Sequence, residues 1–186
     1  NMGGKSTFAR AAALACVLAH VGSYVPAESA EVPLLDRVFA RVGSADDPRA
    51  GQSTFVREMR ETAAILKNAS SNSFVVVDEI GRGTSTTDGT ALAHAVCETL
   101  CRGPLSIFTT HFYALCELEK TTDGCVKNYH VDALVDDEEL TLLYKVEAGP
   151  ATKSYGIHCA RLAGFPDEVV KDAAGRLAAL EGSGAS

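Results

Sequence analysis

Two consecutive carboxylates at the end of an apolar segment are the residues of this sequence best suited to chemistry. Residues 74–77 are β-branched or aromatic without polar alternation, and Asp78 and Glu79 follow directly. This is typical of a central strand covered on both faces, and carboxylates at its end need a compensating charge such as a metal ion. The glycine-rich residues 81–89 can loop beneath a ligand, and Asp88 can cap the next helix. The pattern indicates a Walker B motif, although strands that end at a surface turn often carry an acidic pair too.

The opening residues could bind phosphate. Gly4, Lys5 and Ser6 match the end of the P-loop pattern G-x-x-x-x-G-K-[ST]. The first glycine of that pattern would precede the first residue, so we expect the sequence to begin inside the motif and the chain to be a fragment. Apolar residues at helical spacing follow, as expected where a helix N-terminus faces a phosphate group.

Apolar segments alternate with helical patterns, which predicts an α/β fold. The predicted strands are residues 36–42, 74–77 and 105–110. Three helices are predicted from apolar residues at helical spacing, one before the first strand and one in each interval between strands. In the first helix the residues that recur at this spacing are Phe8, Ala11, Ala15 and Leu18. The apolar face is expected to be Phe55, Met59, Ala63 and Leu66 in the second helix, and Leu92, Ala95, Val96 and Leu100 in the third.

The C-terminal part predicts a β-hairpin region and a final helix. Residues 125–133 and 139–146 are typical of two strands joined across the acidic residues 136–138. Residues 153–163 have a mixed pattern. Pro166 can begin the last helix. Its apolar stripe is Val170, Ala173, Leu177 and Leu180.

Composition limits the classes of protein to consider. The 186 residues, 46% hydrophobic, suffice for one domain with a full core. No apolar run approaches the roughly 20 residues of a membrane span, so we expect a soluble, intracellular protein. Six cysteines without a C-x-x-C pair favour reduced thiols over a disulfide framework. The net charge of -7 would repel a phosphate backbone, so this chain is not expected to provide the main grip on DNA.

The order of the candidate residues is that of an ATPase. Lys5 would neutralise the outer phosphates of ATP, Ser6 would bind Mg²⁺, and Asp78 would hold that ion through a water molecule. Glu79 would then be free to orient or deprotonate the attacking water. His111, at the end of a predicted strand, could hydrogen-bond the γ-phosphate or that water, although a histidine satisfied by solvent is the common alternative.

Five segments in this order carry a resemblance to a known family: NMGGKST, VPAESAEVPLLDRVFARVGSADDPRAGQSTF, DEIGRGTSTTDGT, TTHFYAL and KSYGIHCARLAGFPDEVV. From Asn1 to about Leu180 the sequence resembles the ATPase domain of MutS homologues, the DNA mismatch-recognition proteins, and the last segment is nearest to eukaryotic subunits. The resemblance implies an ABC-class P-loop fold with a mostly parallel central sheet, a small β-hairpin region and a C-terminal helix. It also implies a nuclear location if the source is eukaryotic.

The resemblance implies ATP and Mg²⁺ as ligands and assigns further residues to them. Tyr144 corresponds to an adenine-contacting position, although a core or edge tyrosine is the alternative. The implied ATP-binding set is Asn1, Met2, Gly3, Gly4, Lys5, Ser6, Thr7 and Tyr144. In MutS-like dimers the segment that contains Ser53 and Thr54 faces the nucleotide of the partner subunit, so Ser53 would bind the γ-phosphate there, although a helix N-cap is the alternative role of Ser53.

The resemblance also implies domains and partners. Residues 1–163 would be the ATPase domain, 164–181 the start of a helical dimerisation element, and 182–186 a disordered tail. The partner would be a second MutS-like subunit, identical or not. Mismatched double-stranded DNA would bind mainly through domains absent from this sequence. Downstream repair proteins would be further partners. The fragment alone is expected to be inactive.

Two other interpretations remain open from the sequence. One is a different ABC-class ATPase, such as a transporter subunit or a chromosome-maintenance protein. Those proteins carry an L-S-G-G-Q-like signature, whereas GQSTF occupies the equivalent place here. The other is a module that binds nucleotide only to dimerise. The presence of Glu79 argues against it, since losing that residue would be the simplest route to an inactive site.

Overall fold

The computed structural model describes residues 3–43, 54–135, 140–151 and 155–183. These residues form two compact units, of which one covers Gly3–Asn128 and the other begins at Tyr129. None of the helices in the described ranges combines the length and apolar character needed to span a membrane.

A parallel sheet forms the centre of the first unit. Its described strands are β1 (Arg37–Arg41), β2 (Ser73–Asp78) and β3 (Leu105–Thr109), in the order β1-β2-β3. Every residue of β2 is buried. The predicted central strand is therefore confirmed, and so are its two neighbours. The reason is the continuous apolar run, because a strand flanked on both sides and covered on both faces has no solvent-facing position.

Helices cover both faces of this sheet. They are α1 (Lys5–His20), α2 (Thr54–Asn68) and α3 (Thr86–Leu100), and a 3-10 turn (Tyr113–Glu117) with α4 (Leu118–Thr121) follows β3. Phe74 and Val76 of β2 pack with α1 in one core cluster. Val75 and Val77 belong to a second cluster with residues of α2 and α3. Alternate side chains of β2 thus pack into two cores on opposite faces of the sheet, because successive side chains of a strand point to opposite faces.

The buried face of α2 differs from the prediction. Its buried residues are Glu58, Thr62 and Ile65, whereas Leu66 is 38% exposed. The apolar spacing predicted the helix correctly but indicated an adjacent face as the buried one. The prediction assumed that polar residues face solvent, whereas the two polar side chains on the buried face have hydrogen-bond partners. The Thr62 hydroxyl donates to the Glu58 carbonyl at 2.9 Å, and the Glu58 carboxylate has partners outside the helix.

The start of α3 also corrects the prediction. Ser85 is the N-cap, and its hydroxyl accepts the backbone N–H of Asp88 at 3.1 Å, so Asp88 lies in the first turn. Leu92 and Ala95 are exposed, contrary to prediction. The buried positions are Gly89, Ala93, Val96 and Leu100. The buried face is rotated from the predicted one because Gly89 lies against the backbone of Gly81, and this close approach requires a glycine on the buried side.

The second unit contains a hairpin and two helices. Strands β4 (Tyr129–Val135) and β5 (Leu140–Ala148) pair antiparallel, which confirms the predicted hairpin with later boundaries. The acidic residues 136–138 lie outside the described residues. Helix α5 (Gly156–Leu162) was not predicted, and α6 (Asp167–Ser183) follows Pro166 as expected. In α6 Val170 is 4% exposed but Leu180 is 70% exposed, so the predicted stripe is covered only in part.

Gly89→Ala is expected to destabilise the protein by about 1–3 kcal/mol, because the new Cβ would overpack a closed site. That Cβ would lie 2.3 Å from the Gly81 carbonyl oxygen and 3.0 Å from Cζ of Phe112. Urea denaturation measures the free energy of unfolding. Gly175→Ala in α6 is the matched control, since nothing lies within 4 Å of its Cβ position. It should stabilise the helix by up to about 1 kcal/mol. Equal effects of the two substitutions would contradict this packing.

Candidate functional site

Asp78, the last residue of β2, joins three elements of the first unit. Its Oδ1 accepts hydrogen bonds from the hydroxyl of Ser6, at 2.8 Å, and from that of Thr109, at 2.5 Å. Its Oδ2 lies 3.6 Å from a guanidinium nitrogen of Arg10. The side chain is almost fully buried. The structure therefore brings the opening turn and the acidic strand end together across 72 residues of sequence.

The turn before α1 is suited to an anion. Gly4 has φ 86°, a left-handed conformation that a residue with a Cβ rarely adopts, and α1 begins at the next residue. As the N-cap residue, Gly4 has no side chain with which to cap this helix. Lys5 Nζ is 3.4 Å from the backbone carbonyl of Thr110, directly after β3. The backbone N–H groups of the first helical turn give this end of α1 a partial positive charge, and Lys5, its first residue, adds a full one.

Glu79 directly follows β2 in an unusual backbone conformation. Its φ is 55°, and its backbone N–H donates to the Thr109 carbonyl at 3.0 Å. The side chain is 9% exposed, and one carboxylate oxygen lies 2.8 Å from a guanidinium nitrogen of Arg82. Arg82 itself is about half exposed. The carboxylate is thus sheltered from bulk water and lies beside a cation that solvent can reach.

His111 lies two residues after β3, where the charges of Lys5, Glu79 and Arg82 affect its imidazole. Partial burial is the main cause that lowers its pKa below the usual range. The positive charges of Arg82 and Lys5 lower this pKa further, while Glu79 raises it. The imidazole is therefore neutral at pH 7, so it offers one N–H donor and one ring-nitrogen acceptor.

The other predicted residues that the structure describes lie at the start of α1, at the start of α2 and in β5. Gly3 precedes the left-handed Gly4, Thr7 is exposed in the first turn of α1, and Thr54 is the exposed first residue of α2. Tyr144 lies in β5 of the second unit, 70% exposed and with φ 54°. Asn1, Met2 and Ser53 lie outside the described residues.

Sequence reasoning missed three residues that contact Asp78 or Glu79, and a fourth that contacts the loop after Glu79. Arg10 had a signal, since it stands one helical turn after Ser6 and so shares its face of α1. Arg82, three residues after Glu79, had a similar one. Thr109 could be found only from the sheet register, which places it opposite Asp78. Glu58, which accepts the backbone N–H of Gly81 at 2.5 Å, had no signal in the sequence pattern.

The oxygen atoms at this site fit a magnesium ion. Mg²⁺ prefers hard oxygen ligands and is usually bound by one or two protein groups together with water and phosphate oxygens. The Ser6 hydroxyl and the Asp78 carboxylate, in contact with each other, provide two such oxygens. Among the described residues there is no cluster of three or more His, Cys, Asp or Glu side chains arranged to hold a metal by themselves. A metal here would thus depend on a phosphate ligand.

One comparison with known families covers almost the whole chain. The family model described as MutS domain V matches residues 1–181. The match includes the opening turn, the acidic end of β2 and the histidine after β3.

Proposed function

The chain belongs to the MutS family of mismatch-repair proteins, in which domain V is the ATPase domain. We propose that this chain binds and hydrolyses Mg²⁺-ATP between the opening turn and the end of β2. The observation that carries this proposal is the 2.8 Å hydrogen bond from Ser6 to Asp78. It joins a helix N-terminus suited to phosphate with a carboxylate suited to a cation. This arrangement is expected of a P-loop ATPase of the ABC class.

The residues around the opening turn would bind the triphosphate. Lys5 and the first N–H groups of α1 would neutralise and orient the phosphate oxygens. Ser6 and Asp78 would hold Mg²⁺, which when bound neutralises charge on the phosphates. Arg10 would keep the buried Asp78 carboxylate partly compensated when the cation is absent. Binding of nucleotide would therefore depend mainly on groups that α1 positions.

Two residues would act on the attacking water. Glu79 would accept its proton, since a sheltered carboxylate near the phosphates can serve as general base. His111, neutral at pH 7, would donate a hydrogen bond to the γ-phosphate or accept one from the water. A module that binds nucleotide only to dimerise is the second candidate function, and the retained Glu79 favours hydrolysis over it.

The coupling of this reaction to DNA is part of the proposal. Two MutS-like subunits, identical or different, would share composite sites in which Ser53 and Thr54 face the partner's nucleotide. Tyr144 would contact adenine, and residues 164–181 would begin a dimerisation element. Nucleotide state would then control the hold of other domains on mismatched DNA, and hence downstream repair proteins, in the nucleus if the source is eukaryotic.

Asp78→Asn tests the cation site. We expect the Mg²⁺ concentration that gives half-maximal ATP turnover to rise by at least about tenfold, because a charge-assisted contact worth about 1.5 kcal/mol or more is lost. Asparagine keeps an oxygen that can accept the hydrogen bonds from Ser6 and Thr109. A magnesium titration of the complete protein measures the change, with Asp88→Asn in the first turn of α3 as control. An unchanged magnesium requirement would argue against this metal site.

A further inference from the structure

Glu58 is a buried carboxylate that neither the ATP site nor the sheet accounts for. It lies in the second turn of α2 and is 6% exposed. One carboxylate oxygen accepts the backbone N–H of Gly81 at 2.5 Å. The other lies 3.2 Å from a guanidinium nitrogen of Arg41, itself 6% exposed at the end of β1. Both oxygens are thus engaged, one by a charge and one by the backbone that follows Glu79.

A buried charge placed in this way restrains what it contacts. A carboxylate removed from water is tolerated only when paired and hydrogen-bonded, so moving it away from either partner is costly. A hydrogen bond from a backbone amide to a charged acceptor is also stronger than one between neutral groups. Because Gly81 comes two residues after Glu79, its amide links the Glu58 side chain to the backbone that carries the proposed general base.

The loop is confined from two further directions. A Cβ on Gly81 would lie 2.8 Å from the Cα of Gly89, so the loop backbone rests directly on α3. A Cβ on Gly83 would lie 2.8 Å from the Cβ of Phe55, so the first turn of α2 also touches the loop. Helix α2 therefore contacts this loop at two points, and one of them is a strong hydrogen bond.

We propose that Glu58 is a positioning residue that transmits displacements of helix α2 to the loop carrying Glu79. This inference rests on the proposed function, in which the beginning of α2 faces the nucleotide of a partner subunit. A displacement of α2 caused by nucleotide binding at that end would change the position of Glu79 through the hydrogen bond between Glu58 and Gly81. Glu58 does not itself contact the nucleotide.

Glu58→Met removes the acceptor, and Glu58→Gln retains an oxygen that can accept from Gly81. In the complete protein without nucleotide, Glu58→Met should accelerate hydrogen exchange at the Gly81 amide by at least about tenfold, the scale of one hydrogen bond to a charged group. Glu58→Gln should remain near the wild-type rate. Turnover of ATP should fall in Glu58→Met by a similar factor, while the dissociation constant for ADP stays within about twofold.

Glu61→Gln is the matched control. Glu61 lies one turn later in α2 and contacts the same Arg41, at 3.3 Å. We expect this variant to leave both exchange at Gly81 and turnover unchanged. If it reproduces the effects of Glu58→Met, the charge around Arg41 is responsible and the proposal is wrong. Unchanged exchange at Gly81 in Glu58→Met would overturn it equally.

A double variant covers the case in which Glu58→Met fails to fold because Arg41 is left buried. Arg41→Met with Glu58→Met removes both charges and also the acceptor for Gly81, and the same acceleration of exchange is expected from it. Normal exchange in the folded double variant would contradict the proposal. If the wild-type protein binds nucleotide without hydrolysing it, the proposed function fails, while exchange at Gly81 still decides whether Glu58 restrains the loop.

Discussion

Glu79→Gln is expected to leave ATP binding intact and to reduce turnover at least about 100-fold, the scale of a lost general base. Glutamine has nearly the shape of glutamate but cannot take a proton from water. The ion pair with Arg82 is lost as well, yet Arg82 is about half exposed, so this loss should change stability little. Binding should survive because the groups expected to hold the phosphates lie on α1.

Single-turnover hydrolysis and the dissociation constant for ATP separate these two effects in the complete protein. Glu98→Gln is a suitable control, because Glu98 also lies 2.8 Å from a guanidinium nitrogen, that of the exposed Arg102. It should leave hydrolysis unchanged. Near-normal turnover in Glu79→Gln would remove Glu79 from the role of base, whereas a loss of ATP binding would point to a disturbed site.

Lys5→Ala is expected to weaken nucleotide binding itself by about 10- to 100-fold, since a hydrogen bond between charged groups is worth about 1.5–3 kcal/mol. Lys5 is the first residue of α1, and its ammonium lies 3.4 Å from the Thr110 carbonyl. Its loss would leave the helix N-terminus as the main phosphate-binding element.

Titration calorimetry with ADP and a slowly hydrolysed ATP analogue measures this change. Lys67→Ala, in the exposed last turn of α2, removes the same charge far along the sequence and should have no effect. An unchanged dissociation constant in Lys5→Ala would contradict the proposed phosphate contact. A larger loss for the triphosphate than for ADP would place Lys5 nearest the γ-phosphate.

The sequence predicted those parts of the fold that depend on continuous apolar segments. Strand β2 and its neighbours followed from such runs, because burial on both faces leaves no room for polar residues. Helix faces were less predictable. The inward position of Glu58 depends on Arg41 and Gly81, which stand far from it in sequence, and periodicity counts such a residue as solvent-facing. The buried face of α3 was also not predictable, because it depends on the packing of Gly89 against Gly81, a contact with no local sequence pattern.

The candidate site was predictable where its residues belong to short motifs. Lys5, Ser6 and Asp78 each stand at a recognisable position, and the structure brings the latter two into contact. The hydroxyl of Thr109 became part of the site only through the pairing of β2 with β3. Contacts that arise from tertiary pairing have no local signature, so a single sequence does not reveal them.

The left-handed backbone at Glu79 separates the ability to fold from the ability to react. A φ of 55° is costly for most residues with a Cβ, and glycine or asparagine would occupy this position at lower cost. Variants with those residues should accumulate in cells at normal abundance, because they relieve the backbone strain at this position. Screens that judge inherited substitutions by protein level would therefore score an inactive variant at this position as harmless.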